Sequence, residues 1–263
     1  MKLSVIISYY KNIENLKLIL KALDNQNENN FEAIISEDDN NKDTLSFIEE
    51  NKHNYSFHIQ HLHQKEDTGF RKNEMLNKSI MSAKSNFIAF IDGDCVPHKY
   101  FVKEYIKNLK KGTFMSGRAV MLSKEISEKA VKDISLKDLN YFSLIFSKSQ
   151  KIKEAIYFPF FPLTYKIRGM VGRNWGIHKQ DLIDINGFDT DYIFAGVGED
   201  VDIEWRLMKS GVQRKSIKNK AIVFHIYHDK VYSEVNVGNN YKKLEEKKQL
   251  NNLKCLNGID YKH

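Results

Sequence analysis

The stretch FIAFIDGDCVPHKY, residues 87–100, changes from an apolar to a charged pattern within a few positions. Its first five residues form a short apolar run, which is typical of a fully buried strand. Asp92 and Asp94 follow directly, with only Gly93 between them. Asp-Gly-Asp can be a simple turn, since both residue types favour turns. Two carboxylates at a strand end can also converge on one Mg²⁺ or Mn²⁺ ion that holds substrate phosphates.

Short apolar runs alternate with helical patterns before this stretch. The predicted strands are 3–8, 31–36, 55–61 and 87–91, and the predicted helices are 12–26, 43–51 and 71–84. Such alternation favours an α/β domain with a mainly parallel sheet, in which ligands collect at the carboxyl ends of the strands. The polar clusters SYYKN, SEDDN and DGDC all follow predicted strands. We therefore expect a binding site at this edge of the sheet.

Composition narrows the class of protein. The chain has 263 residues, of which 41% are hydrophobic, enough for one good-sized core. A net charge of +7 is compatible with anionic partners but names none. Cys95 and Cys255 show no pairing or metal spacing, which favours a reducing compartment. With no apolar run long enough for a signal peptide or a membrane span, we expect a cytoplasmic protein that can still work at the inner face of the cell membrane.

The part of the chain after residue 121 breaks the strand-helix rhythm, and we interpret residues 122–167 as an insertion or flap. Its aromatic residues stand among lysines and arginines, a composition that suits the interface of an anionic bilayer. The alternative is that these rings cap the core or bury a dimer contact. They are Tyr141, Phe142, Phe146, Tyr157, Phe158, Phe160, Phe161 and Tyr165.

Several motifs, in this order, resemble glycosyltransferase family 2. They are SVIISYYKNIENL, SEDDN, GFRKNEMLNKSI and FIDGDCVP, followed by RNWGIHKQDLIDINGFD, GVGEDVDIEWRL and FHIYH, which resemble the C-terminal half of galactosyltransferase-like members. The resemblance implies a GT-A fold, with a Rossmann-like nucleotide-binding sheet flanked by helices and a smaller acceptor-side region. It divides a single domain into a nucleotide-sugar-binding half (1–121), the insertion (122–167), an acceptor-side catalytic half (168–232) and a C-terminal helical tail (233–263).

The resemblance also implies a reaction. The expected enzyme is a metal-dependent inverting glycosyltransferase that moves a hexose or N-acetylhexosamine from a UDP-sugar to a hydroxyl group of a glycan or lipid-linked glycan acceptor. Bacterial surface polysaccharide or lipooligosaccharide synthesis fits this expectation by analogy. We expect no nucleic-acid partner, and the aromatic insertion adds a possible peripheral membrane contact.

The donor side is implied by residues in the first half. In this interpretation Asp39, with Asp38 beside it, accepts a hydrogen bond from the imide of uracil, although either could instead cap the following helix. Arg71 would pair with the diphosphate, or it is a solvated arginine at a helix start. The nucleotide-sugar-binding residues implied by the resemblance are Ser8, Tyr10, Asp38, Asp39, Arg71, Asp92 and Gly93.

The same resemblance places a metal at Asp94, with His228 completing its coordination and His225 as a weaker candidate. Nitrogen ligands beside carboxylates favour Mn²⁺ over Ca²⁺, with Mg²⁺ as the other candidate. Residues three apart on a strand point to opposite faces, so we expect His225 to face away from His228.

The catalytic base implied by the resemblance is Asp200, with Glu199 positioning the acceptor. The alternative is that both acids only favour the first turn of the helix that follows. Trp175 and Asn174 are the acceptor-binding candidates, although core packing explains Trp175 equally well. Gly196 and Val197 stand where related enzymes carry Trp-Gly, which leaves the acceptor open.

Two other classes of protein share some of these features. A nucleotidyltransferase on a similar fold would also use paired acids and a cation, but it needs a glycine-rich phosphate loop, and SYYKNIENL contains no glycine. A non-catalytic carbohydrate-binding relative would be expected to lack Asp94, Asp200 or His228, and all three are present.

Overall fold

A computed structural model describes residues 1–164, 166–194, 198–229 and 234–260. The first strands are β1 (Leu3–Tyr9), β2 (Phe31–Glu37), β3 (His58–Leu62) and β4 (Phe87–Asp92). The helices between them are α1 (Ile13–Asp24), α2 (Lys42–Asn51) and α3 (Lys72–Ser82), and a short 3-10 helix spans Lys52–Asn54. These elements confirm the predicted alternation. The third strand begins later than predicted, at His58, which pairs with Glu32, and the preceding Phe57 stacks on Phe31 with ring centroids 4.8 Å apart.

The remainder of the chain adds shorter strands and further helices. The strands are β5 (Cys95–Pro97), β6 (Thr113–Ser116), β7 (Arg118–Met121), β8 (Asn174–His178), β9 (Gln213–Ser216) and β10 (Ile222–His225). The helices are α4 (Phe101–Asn108), α5 (Lys124–Lys132), α6 (Tyr141–Ile145), α7 (Lys179–Asp184), α8 (Glu199–Lys209) and α9 (Glu234–Leu250), with a 3-10 helix at Ile152–Ala155. Within the described ranges, every helix is too short or too polar to span a bilayer.

The described strands form a seven-stranded sheet in the order β3-β2-β1-β4-β8-β6-β9 and a smaller sheet in the order β5-β10-β7. Strand β8 runs antiparallel to both of its neighbours, β4 and β6. The other six strands of the large sheet therefore run in one direction and end at one edge, because β4 is parallel to β1 and β9 is parallel to β6. This carboxyl edge is where ligands bind in sheets of this kind.

Both faces of the large sheet are covered, as alternate residues of β1 show. Val5 and Ile7 pack with α1 and α4 on one face, whereas Ile6 packs with α3 and α8 on the other. All three side chains are fully buried. Burying an aliphatic side chain of this size contributes about 1.5–3 kcal/mol. The apolar runs recognised in the sequence are continuous for this reason, since neither face meets water.

The expected insertion is only partly a surface feature. Helix α5 packs against α1, and Ala130, Leu139 and Leu144 are buried in the main core. Tyr157 stacks on Tyr100 with ring centroids 4.4 Å apart. The rings that remain exposed are those of Phe142, Phe146, Phe160 and Phe161. Tyr165, another of the aromatic residues singled out, lies outside the described residues.

The polar tail helix, α9, docks onto the second half of the domain. Leu244 and Asn240 are buried, and Lys247 forms an ion pair with Asp191 at 2.7 Å. A Cβ atom added to Gly198 would lie 2.9 Å from Cβ of Asn240, and the φ of Gly198 is +141°. Only glycine fits this conformation and this spacing. The tail therefore contacts the residue immediately before α8.

His98 gives the fold a testable pH dependence. Its ring lies 5.4 Å from that of Tyr100 and 5.7 Å from that of Tyr157, and its Nδ1 atom is buried with no hydrogen-bond partner in the described part of the chain. Burial, with a smaller effect of Lys99, lowers the pKa of His98 to about 4. The folded state therefore favours the neutral form of His98. Because the ordinary pKa of histidine is about 6.5, the contribution of this neutral ring to stability is fully present above pH 6.5 and is lost as the pH falls toward 4.

We expect the free energy of unfolding to fall by up to about 3 kcal/mol between pH 6.5 and pH 4 through His98. When urea unfolding is measured across this range, the free energy of unfolding should depend less steeply on pH in His98→Phe than in the wild type. The phenylalanine side chain cannot take up the proton that His98 binds on unfolding. An equal dependence in both proteins would contradict the assignment.

Candidate active site

The turn after β4 brings the two acidic residues to the carboxyl edge. The backbone N–H of Gly93 donates to the carbonyl of Ser8 at 2.7 Å. A Cβ atom on Gly93 would lie 2.9 Å from the same oxygen, so a larger residue would push β4 away from β1. With the backbone held here, the Asp92 carboxylate lies near Lys72 and the Asp94 carboxylate near two histidines.

The small sheet explains how the histidines reach Asp94. Strand β10 pairs with β5 so that His225 lies opposite Cys95, and the N–H of Ile226 donates to the carbonyl of Asp94 at 2.8 Å. His225 Nε2 and His228 Nε2 lie 3.4 Å and 3.1 Å from Asp94 Oδ2. The expectation that His225 faces away from His228 is wrong, because β10 ends at His225 and side-chain alternation does not extend to His228.

The donor set at Asp94 fits a divalent cation. Within the described part of the chain, ligand atoms of Asp94, Cys95 and His225 all lie within 4.8 Å of one another. The hydrogen bond to Asp94 raises the pKa of His228 to about 9. One carboxylate and two imidazoles that already converge are ligands suited to Mn²⁺. Cys95 Sγ donates to Asp94 Oδ1 at 3.3 Å from the buried side.

Lys72, which the sequence analysis missed, links the two acidic groups of the site. Its Nζ atom lies 3.2 Å from Asp92 Oδ1 and 3.6 Å from Glu199 Oε1. Burial lowers the pKa of Lys72, but the two carboxylates more than offset that effect and the pKa is raised. The sequence signal was its place beside Arg71 at the start of α3, where only the arginine had been considered.

Arg71 itself lies against its own loop. Its backbone N–H donates to Asp38 Oδ2 at 2.8 Å, and its guanidinium donates to the carbonyl of Glu66. Gln64 also donates to Asp38, at 3.4 Å. Both oxygens of Asp38 therefore accept hydrogen bonds from the chain itself, and the contribution of Asp38 to the nucleotide site stays a prediction.

Asp39 is buried beside Asp38, and its Oδ2 atom lies 4.0 Å from Lys11 Nζ. The alternative role of these acids as a helix cap is wrong, because the side chain of Asn41 caps α2 by accepting from two backbone N–H groups. Near the same edge, Tyr10 is exposed and donates to Asp67 at 3.1 Å. The rim around the expected base site is thus built by Tyr10, Lys11 and Asp39.

Glu199 and Asp200 begin helix α8 and face the same edge as Asp92. Gly172 N–H donates to Asp200 Oδ2 at 3.2 Å, whereas Asp200 Oδ1 and Glu199 Oε2 are buried with no hydrogen-bond partner among the described residues. Burial raises the pKa of Glu199 to about 7, with Asp200 adding to the effect and Lys72 opposing it. Burial also raises the pKa of Asp200. Gly196 and Val197 lie outside the described residues.

These groups surround a small cavity. Its polar lining residues are Ser8, Lys72, Asp92, Glu199 and Asp200. A carboxylate with a raised pKa and a free oxygen in such a cavity is equipped to take a proton from a hydroxyl group. The structure thus places Ser8 and Asp92, predicted for the donor side, at the same cavity as Glu199 and Asp200.

Of the two acceptor-binding predictions, the one for Asn174 needs correction. Trp175 is 1% exposed and stacks on Phe90 with ring centroids 4.3 Å apart, as core packing predicts, but it also lines the cavity at Asp200, so its acceptor role stays a prediction. Asn174 is fully buried, donates to the carbonyls of Arg118 and Ala221 at 2.9 Å each, and accepts from Tyr105. It has no atom left for an acceptor and instead ties β8 to the small sheet.

Family models match most of the chain. The model described as glycosyl transferase family 2 matches residues 4–183, and the model described as the N-terminal domain of galactosyltransferase matches residues 155–229. The chain is also 28% identical, over 108 residues, to a chondroitin synthase of Pasteurella multocida (strain Pm70). That alignment covers 41% of this chain and 11% of the synthase.

Solved structures share the fold at low sequence identity. The mannosyltransferase PcManGT of Pyrobaculum calidifontis, in complex with GDP-Man and Mn²⁺, is 12% identical with a TM-score of 0.63, over 95% of this chain and 64% of that one. GalNAc-T7 with UDP, GalNAc and Mn²⁺ is 14% identical with a TM-score of 0.60, over 93% of this chain and 47% of that one. The chain thus spans less than two thirds of each of these proteins, and their likeness shows a GT-A fold.

Proposed function

The chain belongs to glycosyltransferase family 2, and from this premise we propose that it transfers a hexose or N-acetylhexosamine from a UDP-sugar to a glycan or glycolipid hydroxyl group, with inversion and with a divalent metal. The observation that carries the proposal is the arrangement at one sheet edge. Asp94 lies within 3.4 Å of two histidines, and Asp92, two residues before it, lines one cavity with Asp200. Membership of the family sets aside the nucleotidyltransferase alternative.

The donor would lie along the ends of β1, β2 and β4. Asp39 is proposed to accept from the uracil imide, while Ser8, Tyr10 and the backbone at Gly93 line the nucleoside side. Asp94, His225 and His228 would hold Mn²⁺ or Mg²⁺, which neutralises the departing diphosphate. GalNAc-T7, a structural neighbour, was solved with UDP and Mn²⁺, whereas PcManGT was solved with GDP-Man. The choice of UDP therefore remains part of the proposal.

Asp200 is the proposed base. As the acceptor oxygen bonds to the anomeric carbon, the bond from that carbon to the phosphate oxygen breaks and the acceptor proton passes to Asp200 Oδ1. The N–H of Gly172 holds the other oxygen at 3.2 Å, which leaves Oδ1 without a hydrogen-bond partner among the described residues. A raised pKa makes Asp200 a stronger base than an ordinary aspartate once it is ionised.

Lys72 is proposed to position the acidic groups rather than to react. Its charge lies between Asp92 and Glu199, so it offsets the repulsion among three carboxylates placed close together. It also lies near the place where the diphosphate would develop charge. In this role it takes over part of what the sequence analysis assigned to Arg71.

For the acceptor and the cellular location we propose only a class of product and a setting. The chondroitin synthase among the relatives supports a polysaccharide product, and bacterial surface polysaccharide or lipooligosaccharide synthesis in the cytoplasm is the setting we propose. Peripheral contact with the inner face of the membrane would use the exposed rings of Phe160 and Phe161.

A donor screen tests the proposal directly. Release of UDP from UDP-glucose, UDP-galactose and their N-acetylated forms should be measured with Mn²⁺, in the presence and absence of candidate acceptors, with GDP-mannose as the comparison donor. We expect one UDP-sugar to be turned over at least tenfold faster than GDP-mannose. Preference for GDP-mannose would overturn the UDP assignment, and no turnover with any donor would favour a non-catalytic relative.

A further inference from the structure

A second recess opens at the same carboxyl edge, beyond β6 and β9. We call it the cationic groove, and its charged lining residues are Arg118, Glu154, Lys166, Arg168 and Lys218. It has a volume of about 90 Å³ and continues, through shared residues Thr164, Ser216 and Lys218, into a cavity of about 250 Å³. The larger cavity is lined by Leu163 and Ile167 and by two more lysines. The recess is thus elongated, with cationic and apolar walls.

Most of the positive charges of the groove are not paired with acidic side chains among the described residues. Lys218 pairs with Glu154 at 3.2 Å, but Arg118 donates to neutral oxygens, those of Ser116 and Gly169, at 3.1 Å and 3.0 Å. Among the described residues, Lys166 and Arg168 form no ion pair. Burial lowers the pKa of Arg118, and the charge of Arg168 lowers it further. An anionic ligand would relieve this repulsion.

One carboxylate oxygen in the groove lacks a hydrogen-bond donor among the described residues. Glu154 is 9% exposed, and its Oε2 atom is buried without a hydrogen-bond partner among the described residues. A buried carboxylate oxygen left in this state destabilises the protein unless a ligand donates to it. A sugar hydroxyl group is such a donor. Cations beside a free carboxylate oxygen therefore match a ligand that carries both anionic groups and hydroxyl groups.

The backbone connects this groove to the proposed base. Arg168 lines the groove, the carbonyl of Gly169 accepts from Arg118, and the N–H of Gly172 donates to Asp200. Four residues of extended chain span at most about 14 Å, so Arg168 and Gly172 are no further apart than that. A ligand in the groove can therefore extend to the reacting hydroxyl group.

We propose that the cationic groove binds an anionic segment of the acceptor glycan, behind the sugar whose hydroxyl group reaches Asp200. This inference rests on the proposed function and names its substrate class, a chain of sugars or polyols bearing carboxylate or phosphate groups. A bilayer is the less suitable occupant, because Arg118 and Lys218 are only partly exposed and Glu154 is buried, so that Lys166 and Arg168 are the exposed cations of an otherwise recessed site. The groove selects acceptors by charge, and the cavity at Asp200 performs the transfer.

The test compares ligands that differ only in charge type. Oligogalacturonate supplies carboxylates, oligo(glycerol phosphate) supplies phosphates, and maltooligosaccharide is neutral. Calorimetry on the full chain should show binding of at least one anionic probe and none of the neutral probe. Lys166→Gln with Arg168→Gln should weaken that binding about tenfold, since two ion pairs made by exposed cations are lost. Mn²⁺-dependent UDP binding should not change.

A matched control is Lys148→Gln with Lys151→Gln, which removes two exposed cations of the same insertion outside the groove. Equal loss in both double variants, or equal binding of the neutral probe, would overturn the groove. Sedimentation with vesicles of phosphatidylglycerol that depends on Lys166 and Arg168 while no glycan probe binds would reassign it to a membrane surface. If a donor is turned over but no anionic probe binds, the proposal for the cationic groove is refuted and the proposed function stands. If an anionic probe binds but no donor is turned over, the proposed function is refuted and the groove stands.

Discussion

Replacing Asp200 by asparagine should lower kcat by about 10²–10⁴-fold, the usual contribution of a general base. The amide keeps the shape of the side chain and can still accept from the N–H of Gly172, now at 3.2 Å from the carboxylate, so the cavity should persist. It cannot take the acceptor proton. Single-turnover and steady-state rates with the preferred donor would measure the loss.

The binding of UDP with Mn²⁺ should remain within about twofold of the wild type, because Asp200 is proposed to act only on the acceptor. Asp184→Asn makes the same chemical change at an exposed carboxylate and should leave kcat unaltered. If the affinity for UDP falls as far as kcat does, Asp200 is a structural or donor-binding residue and the assignment fails.

The dependence of kcat on pH tests the role of Asp200 as the base independently. Burial raises the pKa of Asp200, so the fraction in the basic form increases as the pH rises through that value. We expect kcat to rise with pH and then to level off, with its midpoint above the ordinary range of an aspartate. Asp200→Asn should abolish this rise in the residual activity.

Replacing Asp94 by alanine should reduce activity to the level seen in excess EDTA, with the loss of Mn²⁺-dependent UDP binding. Asp94 Oδ2 is the oxygen on which His225 and His228 converge, so its removal leaves no shared anionic ligand. Truncating a group of this kind removes both metal affinity and the charge that the diphosphate needs. Calorimetry of UDP binding with and without Mn²⁺ is the measurement.

His228→Ala should produce a smaller loss than Asp94→Ala, because His225 and Asp94 remain. His53→Ala removes an exposed histidine elsewhere and serves as the control. Wild-type protein that keeps full activity in EDTA, or Asp94→Ala protein that binds UDP and Mn²⁺ normally, would refute the metal site.

Local patterns predicted the first half of the fold because its strands are buried on both faces and its helices carry regular apolar stripes. The end of β4 was predictable for the same reason, since Asp92 and Asp94 interrupt an unbroken apolar run. The family resemblance then located Asp200 and the histidines along the chain. Each of these features is determined by residues that are close together in the sequence or by a short sequence motif.

Features that depend on tertiary contacts were missed. Lys72 became part of the site because α3 lies beside the end of β4, a contact that no motif encodes. Asn174 was misassigned because its partners, Arg118 and Ala221, are distant in sequence. The convergence of His225 and His228 required knowing that β10 stops at His225. In each case the deciding neighbour belongs to another element.

The position of β8 in the large sheet affects how the protein can be made. Strand β4 ends at residue 92, and its neighbour β8 begins at residue 174, which is 174 − 92 = 82 residues later. At about 5–20 residues per second, a ribosome needs roughly 4–16 seconds to supply the missing partner. During that interval the apolar edge of β4 is unpaired and open to other nascent chains. The core of this enzyme therefore closes only after β8 has been made, and its yield in the cell depends on how well the edge of β4 is shielded until then.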